Sequence, residues 1–383
     1  MKRWLGTTRY VYNQGLNYIN DNPKNKRISF QSLRNQFVTS KPSIKLKGTK
    51  DEDVEGPIWN PSQNTTIKAW ELETPKDIRA GALKDLTEAR KRCFEKMASK
   101  QIKFFKLKFR CKKQDNSIVI PKRTISFQTN KKTTHVSIYS TYMSPIKCSK
   151  DRFLKSNHNY IATHDCRLKL IRSQWFLHIP VDCKRDKHRP PNTVCSLDPG
   201  LRKFQTIYSQ EEVTCIGINK EYVEKIQSKQ DRIQSLRDKK QITRHSYDQK
   251  RKRYQTNYSN QVDDMHYKLI SELTRKYKTI LLPRFESQKV MKKMKGHKNR
   301  RLLLGLQHYT FRKRFQDKTQ TMKYSQVYFC TEEYTSKTCG NCGVLKYNLG
   351  ISEIYKCGEC QMRLDRDING ARNILIKVLT ENK

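Results

Sequence analysis

Long apolar runs are missing from this chain. No stretch approaches the roughly 18 consecutive apolar residues of a membrane-spanning helix, and no basic amphipathic helix stands apart as a surface anchor. The opening MKRWLGTTRYVYNQ has neither an apolar signal core nor a cleavage site, so an intracellular protein with no membrane partner is expected. Acids are scarce as well: 36 Asp and Glu face 80 Lys and Arg, a formal net charge of +44. The excess runs along the whole chain and repels itself unless a polyanion offsets it, which points to nucleic acid over a long contact. Hydrophobic residues reach only 35%, yet nineteen Tyr and fourteen Phe argue against wholesale disorder. At roughly 150 residues per domain, 383 residues make two to three domains. Twelve Cys in a non-secreted chain of that size read as thiols and metal ligands, not as a disulfide framework. No internal repeat at solenoid periods is visible.

The pattern shifts along the chain. The first hundred or so residues read as mostly helical, with one helix from about Thr8 to Ile19. A second begins with Thr74 as N-cap, Pro75 in the first turn and Asp77 behind it, and carries Ile78, Ala82, Leu86, Ala89 and Phe94 on one stripe through Lys100. Between them, 41–63, with the acidic patch Asp51, Glu52, Asp53 and Glu55, reads as a surface loop. From about Phe104 to Val181 the period changes to two, beginning with Phe105, Leu107 and Phe109, which suggests a small β-barrel or sandwich. The linker around CKRDKHRPPN closes that region. Beyond it come a strand ending in Asp198, two further strands making a meander, and polar helices over about 220–277. The buried-type strand TILLP follows, then a basic helical stretch over about 289–318, the strand Gln326 to Cys330, a cysteine-rich insert and a final helix from Asp367.

Cys339-x2-Cys342, fourteen residues, then Cys357-x2-Cys360 is the spacing of two knuckles that place four thiolates around one tetrahedral zinc. Four thiolates leave no open coordination position, so the expected Zn²⁺ is structural. Gly340, Gly343 and Gly358 are expected to supply positive backbone angles in the knuckles. Cys195, Cys215 and Cys330, on strands, read as small buried hydrophobes.

Three acids end core elements: Asp198 before Pro199 and Gly200, Glu286 after TILLP, and Asp367 at the start of the final helix. A strand–meander–helix–strand–helix order is that of a ribonuclease H-type sheet, in which such ends converge. Three carboxylates at one point repel, which divalent cations between them relieve, and hard Mg²⁺ prefers carboxylate oxygens and water. Two such ions about 4 Å apart can activate a water and stabilise the departing 3′-oxygen of a phosphodiester. Taken singly, Asp198 can be a turn residue, Glu286 a solvated charge and Asp367 a helix cap.

Longer strings carry a family resemblance. SLDPGLRKFQTIYS, DMHYKLISELTRKYKTILLPRFES, LGLQHYTFRKRF and EEYTSKTCGNCG with YKCGECQMRLDRDINGARNIL resemble the RuvC-like half of the TnpB superfamily, in wording closest to its eukaryotic and giant-virus branch, Fanzor, second class. WLGTTRYVYNQGL and ETPKDIRAGALKDL resemble that family's first two recognition helices. The resemblance implies a multidomain α+β protein: a helical recognition lobe (1–104), a wedge β-barrel (105–190) and a RuvC (ribonuclease H-like) α/β nuclease domain (191–383) with a zinc-ribbon insert (335–362). It implies a transposon-associated, RNA-guided DNA endonuclease, working as a monomeric ribonucleoprotein with a guide RNA encoded near its own gene and double-stranded target DNA. Two catalytic Mg²⁺ and one structural Zn²⁺ would be its metals, and the nucleus or a viral factory its location. Asp198 and Glu286 match the family's first two catalytic acids, and Asp367, in preference to Asp365, its third. Members of the family begin with about 25 further residues, so either a late-assigned start or a decayed gene copy is expected here. Barrel closure, guide docking and recognition of the short target-adjacent motif would depend on that extension.

Basic residues flank the three acids. Arg232, Arg237 and Lys240 follow the meander, and Lys293, Lys298, Arg300 and Arg301 follow Glu286. Singly they read as solvated helix faces; together they would track a guide–target duplex by its backbone. His266 reads as buried packing and His297 as a backbone contact. A transposase, or a catalytically idle zinc-ribbon protein that binds nucleic acid, are the alternative functions.

Overall fold

The computed structural model describes residues 1–23, 28–38, 58–60, 65–112, 116–129, 133–148, 160–294, 296–348, 350 and 352–381. The loop expected at 41–63 lies, apart from 58–60, outside the described residues. The chain forms two compact units, Met1–Asp182 and Cys183–Lys383. Among the described residues no helix is long and apolar enough to cross a membrane.

The first unit opens with helices α1 (Lys2–Asp21) and α2 (Phe30–Phe37), a short hairpin of β1 (Ile58–Asn60) and β2 (Thr65–Ile67), then α3 (Ala69–Leu72) and α4 (Lys76–Ala98). α1 begins six residues before the expected Thr8, because Trp4 and Leu5 extend its buried face. Val11, Leu16, Leu33, Leu83 and Leu86 form one core, each fully buried side chain contributing about 1.5–3 kcal/mol. At Gly15 the approach to α4 is so close that a Cβ would stand 2.6 Å from a methyl of Leu83. Two expectations for α4 need correction. Its N-cap is Pro75, not Thr74, whose hydroxyl is instead buried in a 2.8 Å hydrogen bond to Thr7. The apolar stripe leaves the core after Leu86, and Phe94 is 41% exposed.

Strands β3 (Asn116–Ile120), β4 (Ile125–Thr129), β5 (Thr134–Ile138), β6 (Ile146–Cys148), β7 (Cys166–Ile171) and β8 (Gln174–His178) follow. They pair as two antiparallel sheets, β3-β7-β8 and β4-β5-β6. Alternating residues, Ile118 and Ile120, Val136 and Ile138, and Leu168, share one core with Trp4 and Ile78. Among the described residues no ladder joins the two sheets. The expected strand around Phe105 is absent: residues 104–108 alternate in exposure but join no ladder, and Phe109 is exposed, so the period of two reflects an extended segment without strand partners.

The second unit is built on one sheet of β9 (Asn192–Pro199), β10 (Gln205–Tyr208), β11 (Val213–Ile216), β12 (Tyr277–Pro283) and β13 (Gln326–Cys330), in the order β11-β10-β9-β12-β13. The first three form the antiparallel meander; β12 runs parallel to β9, and β13 parallel to β12. Alternation divides the sheet into two faces. Cys195, Leu197, Ile280 and Leu282 meet Leu269 and Leu273 of α6 (Arg244–Lys276) and Phe311 and Phe315 of α9 (His308–Gln320). On the opposite face Leu281 meets Ile374 and Leu375 of α10 (Arg366–Glu381). With both faces covered, β12 has the near-continuous apolar sequence TILL.

Before α6 lies α5 (Lys220–Asp238), capped by Asn219. The single basic helical stretch expected near 289–318 is three helices: α7 (Ser287–Lys293), α8 (His297–Leu306) and α9. Gly296 and Gln307, at φ +95° and +51°, break it, since a helix cannot continue through a left-handed residue. A second small hairpin pairs β14 (Ile354–Lys356) with β15 (Arg363–Asp365), which leads straight into α10. Cys215 is exposed, contrary to expectation, because β11 is the edge strand.

Candidate functional site

Asp198 is the last residue but one of β9 and shares the parity of Val194 and Ser196, so it faces α10. There the helix presents Gly370, where a Cβ would stand 2.5 Å from Asp198 Oδ2. The residue is half-buried, and the loss of water around its carboxyl, followed by the charges of Asp367 and Glu332, pushes its pKa up to about 8; Arg366 opposes the shift. Asp367 occupies the first turn of α10, with its side chain 42% exposed. The two acids thus meet where the sheet's central strand ends and the last helix begins.

Asp365 does something different. Its Oδ1 accepts the backbone N–H groups of Asp367 (2.9 Å) and Ile368 (3.2 Å), so it caps α10, the role that was open for Asp367. Its Oδ2 accepts Lys203 Nζ at 2.7 Å. Burial alone would raise its carboxyl, but the Lys203 bond and the two amides hold it below the ordinary range. Lys203 also lies 3.6 Å from Asp367, giving the centre a cation of its own. Asp198, Arg202, Lys203, Ser336, Asp365 and Asp367 line a cavity of about 290 Å³.

Glu286 stands at the start of α7, exposed and ion-paired with Lys289. It acts electrostatically on Glu332, whose carboxyl is raised by burial first and by Glu286 second. Glu332 is the acid that sequence reasoning misses. It lies two residues beyond Cys330, which packs on the α10 face, so the period of two carries it to the same side as Asp198. That continuation is the signal in the sequence, and it lies beyond the last residue of the strand.

The four cysteines converge. Cys339 and Cys360 sulfurs are 3.6 Å apart, as are those of Cys342 and Cys357, and all four lie within 4.8 Å of one another. A tetrahedral zinc with Zn–S bonds near 2.3 Å needs sulfurs about 3.8 Å apart, so the set fits one such ion. Of the three knuckle glycines only Gly343 has a positive φ (+79°); in the second knuckle the left-handed residue is Gln361 (+56°), not Gly358. Gly340 is small for another reason: a Cβ there would meet Asn369 Oδ1 at 3.0 Å and Asn373 Oδ1 at 3.1 Å.

The basic residues divide. Arg301 bonds Asp231 (2.6 Å) and Gln230 (2.7 Å), Arg300 bonds the carbonyl of Met294, and Arg237 stacks over Tyr247. Arg232, Lys240 and Lys298 are exposed to solvent. Lys293 belongs to α7, but its side chain lies outside the described residues. His266 is fully buried, bonded to the Leu306 carbonyl and beside Arg314, its pKa pushed down to about 4 by burial. His297 is exposed at the start of α8.

A ribonuclease H-like sheet with carboxylates at its strand ends and a four-cysteine insert defines the class. The family model of the Cas12f1-like TNB domain matches residues 308–374, which hold Glu332, all four cysteines and Asp367. A protein of Paramecium bursaria Chlorella virus 1 named as a transposase is 26% identical over 394 residues, covering 99% of this chain and 83% of that one. A TnpB-like protein of Acanthamoeba polyphaga mimivirus is 31% identical over 215 residues, 53% of this chain and 40% of the relative. InsQ of Escherichia coli, named as an RNA-guided DNA endonuclease, is 23% identical over 395 residues, 98% of this chain and 87% of that one. In fold, the chain is similar to Cas12f1 in its complex with guide RNA and target DNA, with a TM-score of 0.52 at 13% identity, covering 97% of this chain and 81% of the other. The chain is thus similar to TnpB-like and transposase-named proteins of giant viruses and to InsQ, and its last third carries the Cas12f1-like TNB match.

Proposed function

We propose that the protein is an RNA-guided DNA endonuclease of a mobile element, with a helical recognition lobe and wedge in the first unit and a RuvC-like nuclease in the second. The observation that carries this reading is the meeting of Asp198 and Asp367 beside a cavity lined by Arg202 and Lys203. Asp198 and Asp367 would be donors, and Glu332, whose charge acts on Asp198, is taken as the third, with Glu286, whose charge acts on Glu332, as the alternative. Oxygen donors of this kind suit hard divalent cations. Held by these carboxylates, magnesium would supply an activated water and charge neutralisation at the departing 3′-oxygen. The chain's own groups do the rest. Gly370 lets the Asp198 carboxyl lie against α10, Asp365 holds the first turn carrying Asp367, and Lys203 and Arg202 offer cations to the phosphate. Zinc on Cys339, Cys342, Cys357 and Cys360 would be structural.

Base pairing with the guide would select the DNA, while the basic surface holds the duplex by its backbone. The test is purification with the RNA that accompanies the protein. A defined species encoded beside the gene, and Mg²⁺-dependent cutting of DNA matched to it that Asp198→Ala abolishes, are the expected results; heterogeneous RNA and no matched cutting would sink the reading. The transposase name of the chlorovirus relative supports a second reading. Joined donor–target strands in the same assay would favour it.

A further inference from the structure

Helix α10 serves two masters. One side receives Asp198 against Gly370; the other carries Asn369 and Asn373, four residues apart and therefore neighbours on one face. Asn369 is 0% exposed and Asn373 5%. Asn369 Oδ1 accepts the N–H of Gly340 at 2.9 Å, and its Nδ2 donates to the carbonyl of Thr338 at 2.8 Å. Asn373 Nδ2 donates to the carbonyls of Thr335 (2.8 Å) and Thr338 (2.6 Å). These are the backbone groups of the segment that leads into Cys339 and Cys342. The same segment starts at Glu332 and contributes Ser336 to the cavity wall.

The second knuckle grips the same helix from its start. Its strands pair Ile354 with Asp365, Arg366 N–H donates to the carbonyl of Glu353 at 2.8 Å, and Glu353 is ion-paired with Arg202 at 2.9 Å. Ser352 and Glu353 also line the cavity. Both knuckles therefore abut the carboxylates, and the distance between knuckles is what the four thiolates set. Repulsion among Asp198, Glu332 and Asp367 tends to spread them, and a buried amide that loses its partner is costly, so the clamp resists that spreading.

We infer that the four-cysteine ribbon and the carboxylate centre are one coupled unit, in which Asn369 and Asn373 are positioning residues that transmit zinc loading to the placement of Glu332 and Asp367. The inference rests on the reading of the centre as a divalent-cation site. Coupling between binding sites is reciprocal: if zinc strengthens cation binding at the carboxylates, the cation must strengthen zinc binding by the same factor.

The experiment uses the full chain and Mn²⁺, which is a weak competitor for thiolates. Zinc affinity is measured by competition with a chelator, with and without saturating Mn²⁺, while Mn²⁺ binding is followed by its paramagnetic resonance signal. In the wild type Mn²⁺ should tighten zinc by about fivefold or more. Asn373→Ala should still take up one zinc at excess metal but lose most of that factor. Asn369→Asp, which keeps the acceptor for Gly340 and loses the donor to Thr338, should retain part of it. Equal zinc affinity with and without Mn²⁺ in the wild type overturns the inference alone, and needs no variant to fold. So does full coupling in Asn373→Ala. A wild type that binds no Mn²⁺, or binds it as well in Asp198→Asn, overturns the cation-site reading and this inference with it.

Discussion

Asp198 is the residue on which the centre's chemistry turns, because it is the acid that burial and neighbours disfavour most in its charged form. Its carboxyl titrates near pH 8 in the folded protein and near its ordinary 3.8 when unfolded. Between those values the metal-free folded state binds the extra proton, so stability is highest at the acid end and is lost as pH rises towards 8. Buried His266 and His308, both pushed down to about 4, act in the opposite sense: their contribution is lost as pH falls below the ordinary 6.5. The comparison that isolates Asp198 is therefore wild type against Asp198→Asn by thermal melting without metal: the wild type should lose stability relative to the variant from pH 5 to 8, and Mg²⁺ should restore it. Parallel profiles would contradict the burial argument. A cation must displace that proton, so its affinity should rise about tenfold per pH unit up to about 8.

Which glutamate completes the centre is tested at this scale. Glu332→Gln should abolish matched cleavage as fully as Asp198→Ala or Asp367→Ala, by a factor on the order of 10³ or more, because residues that hold one cation cluster act as a unit. Glu286→Gln should cost far less, and Asp365→Ala should cost mainly about 1 kcal/mol of helix capping. If Glu286→Gln is dead while Glu332→Gln cuts, the inner set must be redrawn around Glu286.

At the scale of elements, the centre depends on how closely α10 approaches β9. Gly370→Ala shows which effect wins. Alanine improves helix propensity by about 1 kcal/mol, but its Cβ would lie 2.5 Å from Asp198 Oδ2, and such overpacking costs about 1–3 kcal/mol. The contact is with the carboxylate itself, so cleavage should fall sharply while a melt shows a cooperative fold shifted by only a few degrees. Retained cleavage would mean that β9 and α10 separate without consequence. The same approach is reinforced by Ser196 Oγ, which donates to the Ala371 carbonyl at 2.6 Å.

For the whole molecule the dominant quantity is the charge of +44. Some of the cations are committed to internal pairs, as Arg301 is to Asp231 and Arg314 to Asp263 at 2.8 Å, but exposed Arg232, Lys240 and Lys298 remain available to phosphate. Nucleic-acid affinity should then fall steeply with salt, with a slope near −0.9 per neutralised phosphate on a B-form duplex, and a loss of about 10³–10⁵ between 50 and 200 mM for 6–10 contacts. A flat profile in a filter-binding titration would assign the charge to some other purpose.

The sequence by itself determines what depends on local spacing. Two CxxC pairs bring four sulfurs together because each knuckle is a single turn, TILL is a strand covered on both faces because Ile280, Leu281 and Leu282 are consecutive apolar residues, and the excess of cations needs no fold to be read. Strand ends at Asp198 and Cys330 and the helix start near Asp367 are legible for the same reason. Only the tertiary structure decides which acids meet. Asp365 and Asp367 differ by two residues, and which one caps the helix depends on the turn out of β15 and on Lys203, from a loop 162 residues away. Glu286 and Glu332 both follow strands, yet α7 turns the first outward while the parity of β13 carries the second to the α10 face. Convergence of distant ends is a property of sheet order and face, and a linear sequence carries no direct record of either.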